Sequence, residues 1–171
     1  MKHLLWQALC LICYSGMAYA QGLQPEDVVR MRKAGAEQID SMVKAKGFRQ
    51  IHTPRDSTMT VNTYVYQGIE NEIKVQRLLL VGRRHHSDYV EWQYEVWQRK
   101  DALDWTNQLL QAGFKKTVLG SPDTRGRNPV TVSIFRKDNN SIYCEEEMDG
   151  DYGRTRYKFT ITTKDYKGDA L

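Results

Sequence analysis

The feature that most constrains this chain is a helix-then-strands pattern that occurs twice and is punctuated each time by the same two residues. A helical segment stops at Gly47-Phe48 and strands follow; a second stops at Gly113-Phe114 and strands follow again. Glycine just past a helix supplies the left-handed backbone that ends it, and the apolar residue after it folds back onto the last turn. The doubling predicts one supersecondary unit used twice, over residues 21–99 and 100–171, in one compact two-unit body.

The first helix is expected over about 26–46. Pro25, Glu26 and Asp27 favour its start, and Val28, Met31, Ile39, Met42 and Val43 form an apolar stripe at helical spacing. The second is expected from Lys100 or Asp101 to Ala112, with Leu103, Trp105, Leu109 and Leu110 on its apolar side. A short strand follows each Gly-Phe, then a turn-rich stretch, 53–57 in the first unit and 120–129 in the second. Three strands come next in each unit: 59–67, 73–81 and 89–98, then 130–136, 141–148 and 154–163. Turns are expected at 68–71, 138–140 and 149–150.

Alternation supports these strands. Val130, Val132 and Ile134 share one parity, as do Tyr157, Phe159 and Ile161, and Val90, Trp92, Tyr94 and Val96. One-sided strands belong to an antiparallel sheet with one face on a core and the other wet. The expected class is α+β: two tandem repeats of a helix followed by an antiparallel sheet (helix, short strand, three strands), with the helices packed on one sheet face.

Two tandem units of this size, each helical first and then a short antiparallel sheet, resemble the secreted β-lactamase-inhibitor proteins. The resemblance covers residues 21–171 and rests on topology and the Gly-Phe pairs. It implies binding across a concave sheet surface. It carries over no functional residue, and this chain lacks the disulfides of those inhibitors.

Residues 1–20 read as a cleavable secretory signal: Lys2 and His3, an apolar stretch over 4–14, and Ala18-Tyr19-Ala20 before the cut. The expected location is the bacterial envelope, periplasmic or secreted. Cleavage would discard Cys10 and Cys13, leaving Cys144 without an internal disulfide partner, at an inward strand position that suits a buried thiol. No second apolar segment is long enough to span a membrane. The net charge of +4 is mild and its basic residues are scattered, which argues against nucleic acid.

Few residues point to chemistry. Arg83-Arg84-His85-His86-Ser87-Asp88 lies between two expected strands. Its two histidines and Asp88 make a small metal-dependent or hydrolytic enzyme the alternative reading, yet adjacent residues on extended backbone point apart. Arg83 and Arg84 favour an anion over a cation. Glu145, Glu146 and Glu147 lack calcium-loop spacing, and cross-strand pairing with Arg154, Arg156 and Lys158 accounts for them. No nucleophile elbow, zinc-protease motif or phosphate loop is present, so no catalytic residue, metal site or cofactor is assigned.

Aromatic surface remains. If Met59, Val61 and Val65 face the helix, Tyr64 and Tyr66 face out; Tyr89 and Trp97 stand opposite the Val90 set, and Tyr143 lies on a charged face. Exposed Tyr and Trp on a rigid sheet are typical anchors. The expectation is a non-enzymatic binding module for an envelope protein or glycan, using Tyr64, Tyr66, Tyr89, Trp97, Tyr143, Arg83 and Arg84. A self-associating structural envelope protein is a further alternative.

Overall fold

A computed structural model describes residues 22–31, 34–53, 58–70, 72–85, 90–120, 130–149 and 154–162. Among them are three helices, α1 (Pro25–Met31), α2 (Ala36–Ala45) and α3 (Arg99–Gln111). Eight strands accompany them: β1 (Arg49–His52), β2 (Met59–Glu70), β3 (Ile73–Arg84), β4 (Val90–Val96), β5 (Lys115–Gly120), β6 (Val130–Lys137), β7 (Asn140–Asp149) and β8 (Arg154–Thr162). The chain is α+β.

The single helix expected over 26–46 is two helices. Gly35 has extended backbone (φ −69°, ψ 168°) and caps the start of α2, where Gln38 Oε1 accepts from the Gly35 N–H at 3.1 Å. Glycine is a poor helix-interior residue, and here the extended cap replaces a helical turn. The helix ends expected at the two Gly-Phe pairs are present and share one motif. Gly47 (φ 82°) donates to Lys44 O at 2.9 Å, and Phe48 donates to Val43 O at 3.1 Å. Gly113 (φ 89°) and Phe114 repeat both bonds to Leu110 O and Leu109 O, each at 3.0 Å. These are Schellman bonds, and both phenylalanines turn back into the core.

The strands form one antiparallel sheet in the order β1-β2-β3-β4-β8-β7-β6-β5. Strands β1 to β4 make one consecutive meander and β5 to β8 another, and the seam between them is the pairing of β4 with β8, from Glu91↔Thr162 to Val96↔Tyr157. The turn expected at 68–71 falls later, because β2 continues through Gly68 and Ile69 to Glu70, which pairs with Ile73. Glu72 (φ 67°) and Asp138 (φ 50°) take left-handed backbone at the β2–β3 and β6–β7 turns, as tight hairpins require.

All three helices cover the same sheet face. Val28, Met31, Ile39, Val43, Ala102, Trp105 and Leu109 of the helices share one core with Tyr64, Leu79, Trp92, Tyr94, Phe135, Ile142 and Phe159 of the strands. Register puts those strand residues on one side: Tyr64↔Leu79, Leu79↔Tyr94, Tyr94↔Phe159. An aromatic row crosses this core. Phe48 lies 5.7 Å from Tyr66 and 6.5 Å from Tyr94, Tyr94 lies 4.9 Å from Trp105, and Trp105 lies 4.7 Å from Phe159. The Trp105 indole donates to Leu23 O at 2.5 Å, so the segment before α1 is tied into the same core. No helix among the described residues is long and apolar enough to cross a membrane.

Candidate functional site

Alternation dictates what the other sheet face carries. In one row across the strands stand Val65, Leu78, Glu95, Lys158, Glu145 and Val132. In the next stand Thr63, Leu80, Gln93, Thr160, Tyr143 and Ile134. No described helix lies over this face. Its middle is charged and its shoulders are apolar: half-buried Leu78 beside buried Val65 on one side, half-buried Val132 beside buried Ile134 on the other.

The charged middle is a ladder. Arg156 on β8 pairs with Glu147 on β7 and lies 3.7 Å from Glu95 on β4, while Lys158 pairs with Glu145. These are two of the cross-strand pairs that the sequence pattern anticipates. Glu95 stands apart because its side chain is only 8% exposed. Burial raises its carboxyl above the ordinary range, with Arg156 and Lys158 pulling the other way and Glu147 and Glu145 adding to the rise. A buried carboxylate among half-exposed ion pairs favours a cationic contact that is itself desolvated.

The expected binding residues divide. Tyr64 and Tyr66 do not face out: they are 1% and 8% exposed and lie in the helix-covered core. The reason is chemical as well as steric. Each buried ring has a polar partner for its hydroxyl, Asp40 for Tyr64 and Glu70 for Tyr66 at 3.3 Å, so burial leaves neither hydroxyl unsatisfied. Burial, reinforced by the Asp40 carboxylate, pushes the Tyr64 hydroxyl up to about 12. It is Met59, Val61 and Val65 that take the uncovered side of β2, opposite Arg84, Gly82 and Leu78.

Arg83 is also on the helix side, where its guanidinium donates to Ala34 O at 3.4 Å. Arg84, exposed and opposite Met59, lies on the uncovered side. Tyr143 stands there too, half-buried between Ile134 and Thr160. Trp97 follows β4 directly and is half-buried. Tyr89, His86 and Asp88 lie outside the described residues. His85 is held by Thr60, its Nε2 2.9 Å from the hydroxyl, and its N–H donates to Thr58 O at 2.8 Å.

One polar cluster escaped the sequence reading. Arg77, 5% exposed, lies on the core side of β3. It binds both oxygens of Glu70 at 2.7 Å, donates from Nε to Asp101 at 2.9 Å, and sits 5.2 Å from the Tyr66 ring centroid. Burial works against its charge, but the bonds to Glu70 and Asp101 prevail and hold its pKa above the usual value. The cluster ties the end of β2 and the first turn of α3 to β3, so its work is structural. The signal was available: Val75, Arg77, Leu79 and Val81 share a parity, and the arginine interrupts an inward row.

Cys144 packs against the core opposite Phe159 and Ser133. Burial pushes its thiol up to about 12, against the pull of Lys116, which opposes nucleophilic chemistry. Among the described residues no group of three or more His, Cys, Asp or Glu could hold a metal. A cleft of about 360 Å³ opens between α1, the end of α3 and the β6–β7 turn; Lys137 on its wall is committed to Ala112 O at 2.5 Å. Comparison of the chain with protein-family models, with curated proteins and with solved structures finds no match in any of the three.

Proposed function

We propose that this chain is an exported, non-enzymatic binding module that holds a protein or glycan partner of the cell envelope on the uncovered face of its sheet. One observation carries the reading: three helices share one sheet face, while the other presents a buried carboxylate and an ion ladder between apolar shoulders. The half-buried Leu78, Leu80, Val132, Tyr143 and Trp97 give the uncovered face the composition of a recognition surface: an apolar part for affinity and fixed charges for selectivity. Tandem duplication of one helix-plus-sheet unit gives such a face its breadth. The shared Schellman ends at Gly47-Phe48 and Gly113-Phe114 and the mirrored strand order are consistent with it. So is the likeness in architecture to the secreted β-lactamase-inhibitor proteins.

Affinity capture from a native envelope extract tests the reading, with the wild type beside a Tyr143→Ala/Trp97→Ala double variant and a Tyr64→Ala variant. The double variant should keep its thermal stability and lose the retained partner. Tyr64→Ala should instead lose about 3–5 kcal/mol of stability, as large buried aromatics do. Retention of the same partner by wild type and double variant alike would remove the sheet face from the account.

A further inference from the structure

The sheet ends at two edges, β1 and β5, and they are unlike each other. β1 has four residues, exposed like those of β5, breaks register between Gln50 and His52, and has two of its side chains held, Arg49 by Gln67 and Gln50 by Thr53 and Asn62, beside the exposed Ile51. β5 has six residues and all six are exposed. Lys115 to Val118 pair regularly with Arg136 to Ser133, ahead of a register shift between Val118 and Gly120, and no described strand pairs with the other side of β5. Val118 and Leu119 are 58% and 59% exposed, among the most exposed large apolar side chains described.

An exposed edge that pairs regularly over four residues and carries apolar residues at its far end is a template for another strand. Charge decides which strand it accepts. β1 carries Arg49; β5 carries Lys115 and Lys116, with the exposed Arg136 directly across from Lys115. Pairing β1 of one copy with β5 of another would set cation against cation, so the edges resist linear assembly of the chain. The same lysines welcome carboxylates. We infer that β5 is a docking edge for an extended acidic polypeptide segment of another protein, which adds as a ninth strand. An antiparallel segment would set apolar β-branched residues beside Val118 and Leu119 and glutamates or aspartates beside Lys116 and Lys115. Main-chain hydrogen bonds supply affinity in this mode, and the side chains supply selectivity. The site is distinct from the uncovered sheet face and does not depend on its function.

The test uses a fluorescent synthetic peptide with a Val/Thr half followed by a Glu-rich half, and a counterpart with every Glu replaced by Lys. Binding is read by anisotropy at low and high salt, and its place by backbone amide exchange of the wild-type protein. The expected result is slowed exchange in residues 115–119, roughly tenfold or greater preference for the acidic peptide at low salt, and loss of that preference as salt rises. The Lys115→Glu/Lys116→Glu variant, checked for an unchanged far-ultraviolet spectrum, should invert the preference. Equal or absent binding of both peptides would overturn the inference, as would protection confined to β1 or the sheet face. So would a wild-type dimer, seen by sedimentation, that already occupies β5.

Discussion

Replacing Arg77 by methionine removes the cation on which two carboxylates and a tyrosine ring converge. Breaking a buried ion pair by removing one partner costs about 3–5 kcal/mol, because the other charge stays behind. Two features of the cluster soften that figure. Glu70 is 30% exposed and can turn to water, and Asp101, at 11%, sits in the first turn of α3, where the helix dipole offsets about 0.3–1 kcal/mol. The expected loss is about 3 kcal/mol, taken from the lower end of that range. Urea unfolding followed by tryptophan fluorescence reads it directly, because Trp105 lies on the helix that Asp101 anchors. A second arm uses pH. The bonds from Arg77 hold the Glu70 carboxyl below its usual value, in spite of burial. A carboxyl depressed by folding stabilises the protein above its unfolded pKa and ceases to do so as pH falls through its folded pKa. That acid loss should be present in wild type and shrink in Arg77→Met. A cost under about 1 kcal/mol together with an unchanged acid slope would class the cluster with solvent-screened surface pairs and leave Arg77 without a buried structural role.

Other substitutions test other levels. Gly113→Ala puts a Cβ on left-handed backbone with its nearest neighbour at 3.7 Å, so the cost is conformational, about 1–2 kcal/mol, and thermal unfolding should show it. Glu95→Gln should raise the melting temperature at neutral pH. Burial raises this carboxyl, so its ionisation penalises folding above its folded pKa, and the gain over wild type should vanish in mild acid where both side chains are neutral. A larger gain in acid would reverse the sign of the argument. Cys144 should react with a thiol reagent far more slowly in the folded protein than in urea, and rapid labelling of the folded form would contradict its burial.

What the sequence revealed was what short-range chemistry writes. Gly47-Phe48 and Gly113-Phe114 specify their helix ends through bonds that span a few residues, and the alternation in β4 and β8 names their inner faces; in β6 it misled, because the apolar row Val132 and Ile134 takes the uncovered face while Phe135 faces the core. β2 misled because both of its parities are apolar: Met59, Val61 and Val65 look like a core row, while Tyr64 and Tyr66 need partners from Asp40 and Glu70 before they can be buried. The break between α1 and α2 was hidden because Val28, Met31, Ile39 and Val43 keep helical phase across it. The pairing of β4 with β8 has no local signature at all, since either strand could have been an edge. The candidate site followed the same division: the ladder on β7 and β8 was legible from alternating charges, whereas the burial of Glu95 depends on which strand lies beside β4.

That seam also governs the order in which the molecule can become whole. Each meander closes by hairpins between neighbours in sequence, which costs little loop entropy, but β4 must wait for β8, the last of the described strands, to be made before it gains its second neighbour. Until β8 arrives, β4 and β7 each present a bare edge bearing residues of the future core, Trp92 and Tyr94 on one and Ile142 on the other. A nascent chain is therefore most adhesive just before β8 is added. Damage confined to residues 154–162 would not trim the sheet at its margin; it would split it down the middle.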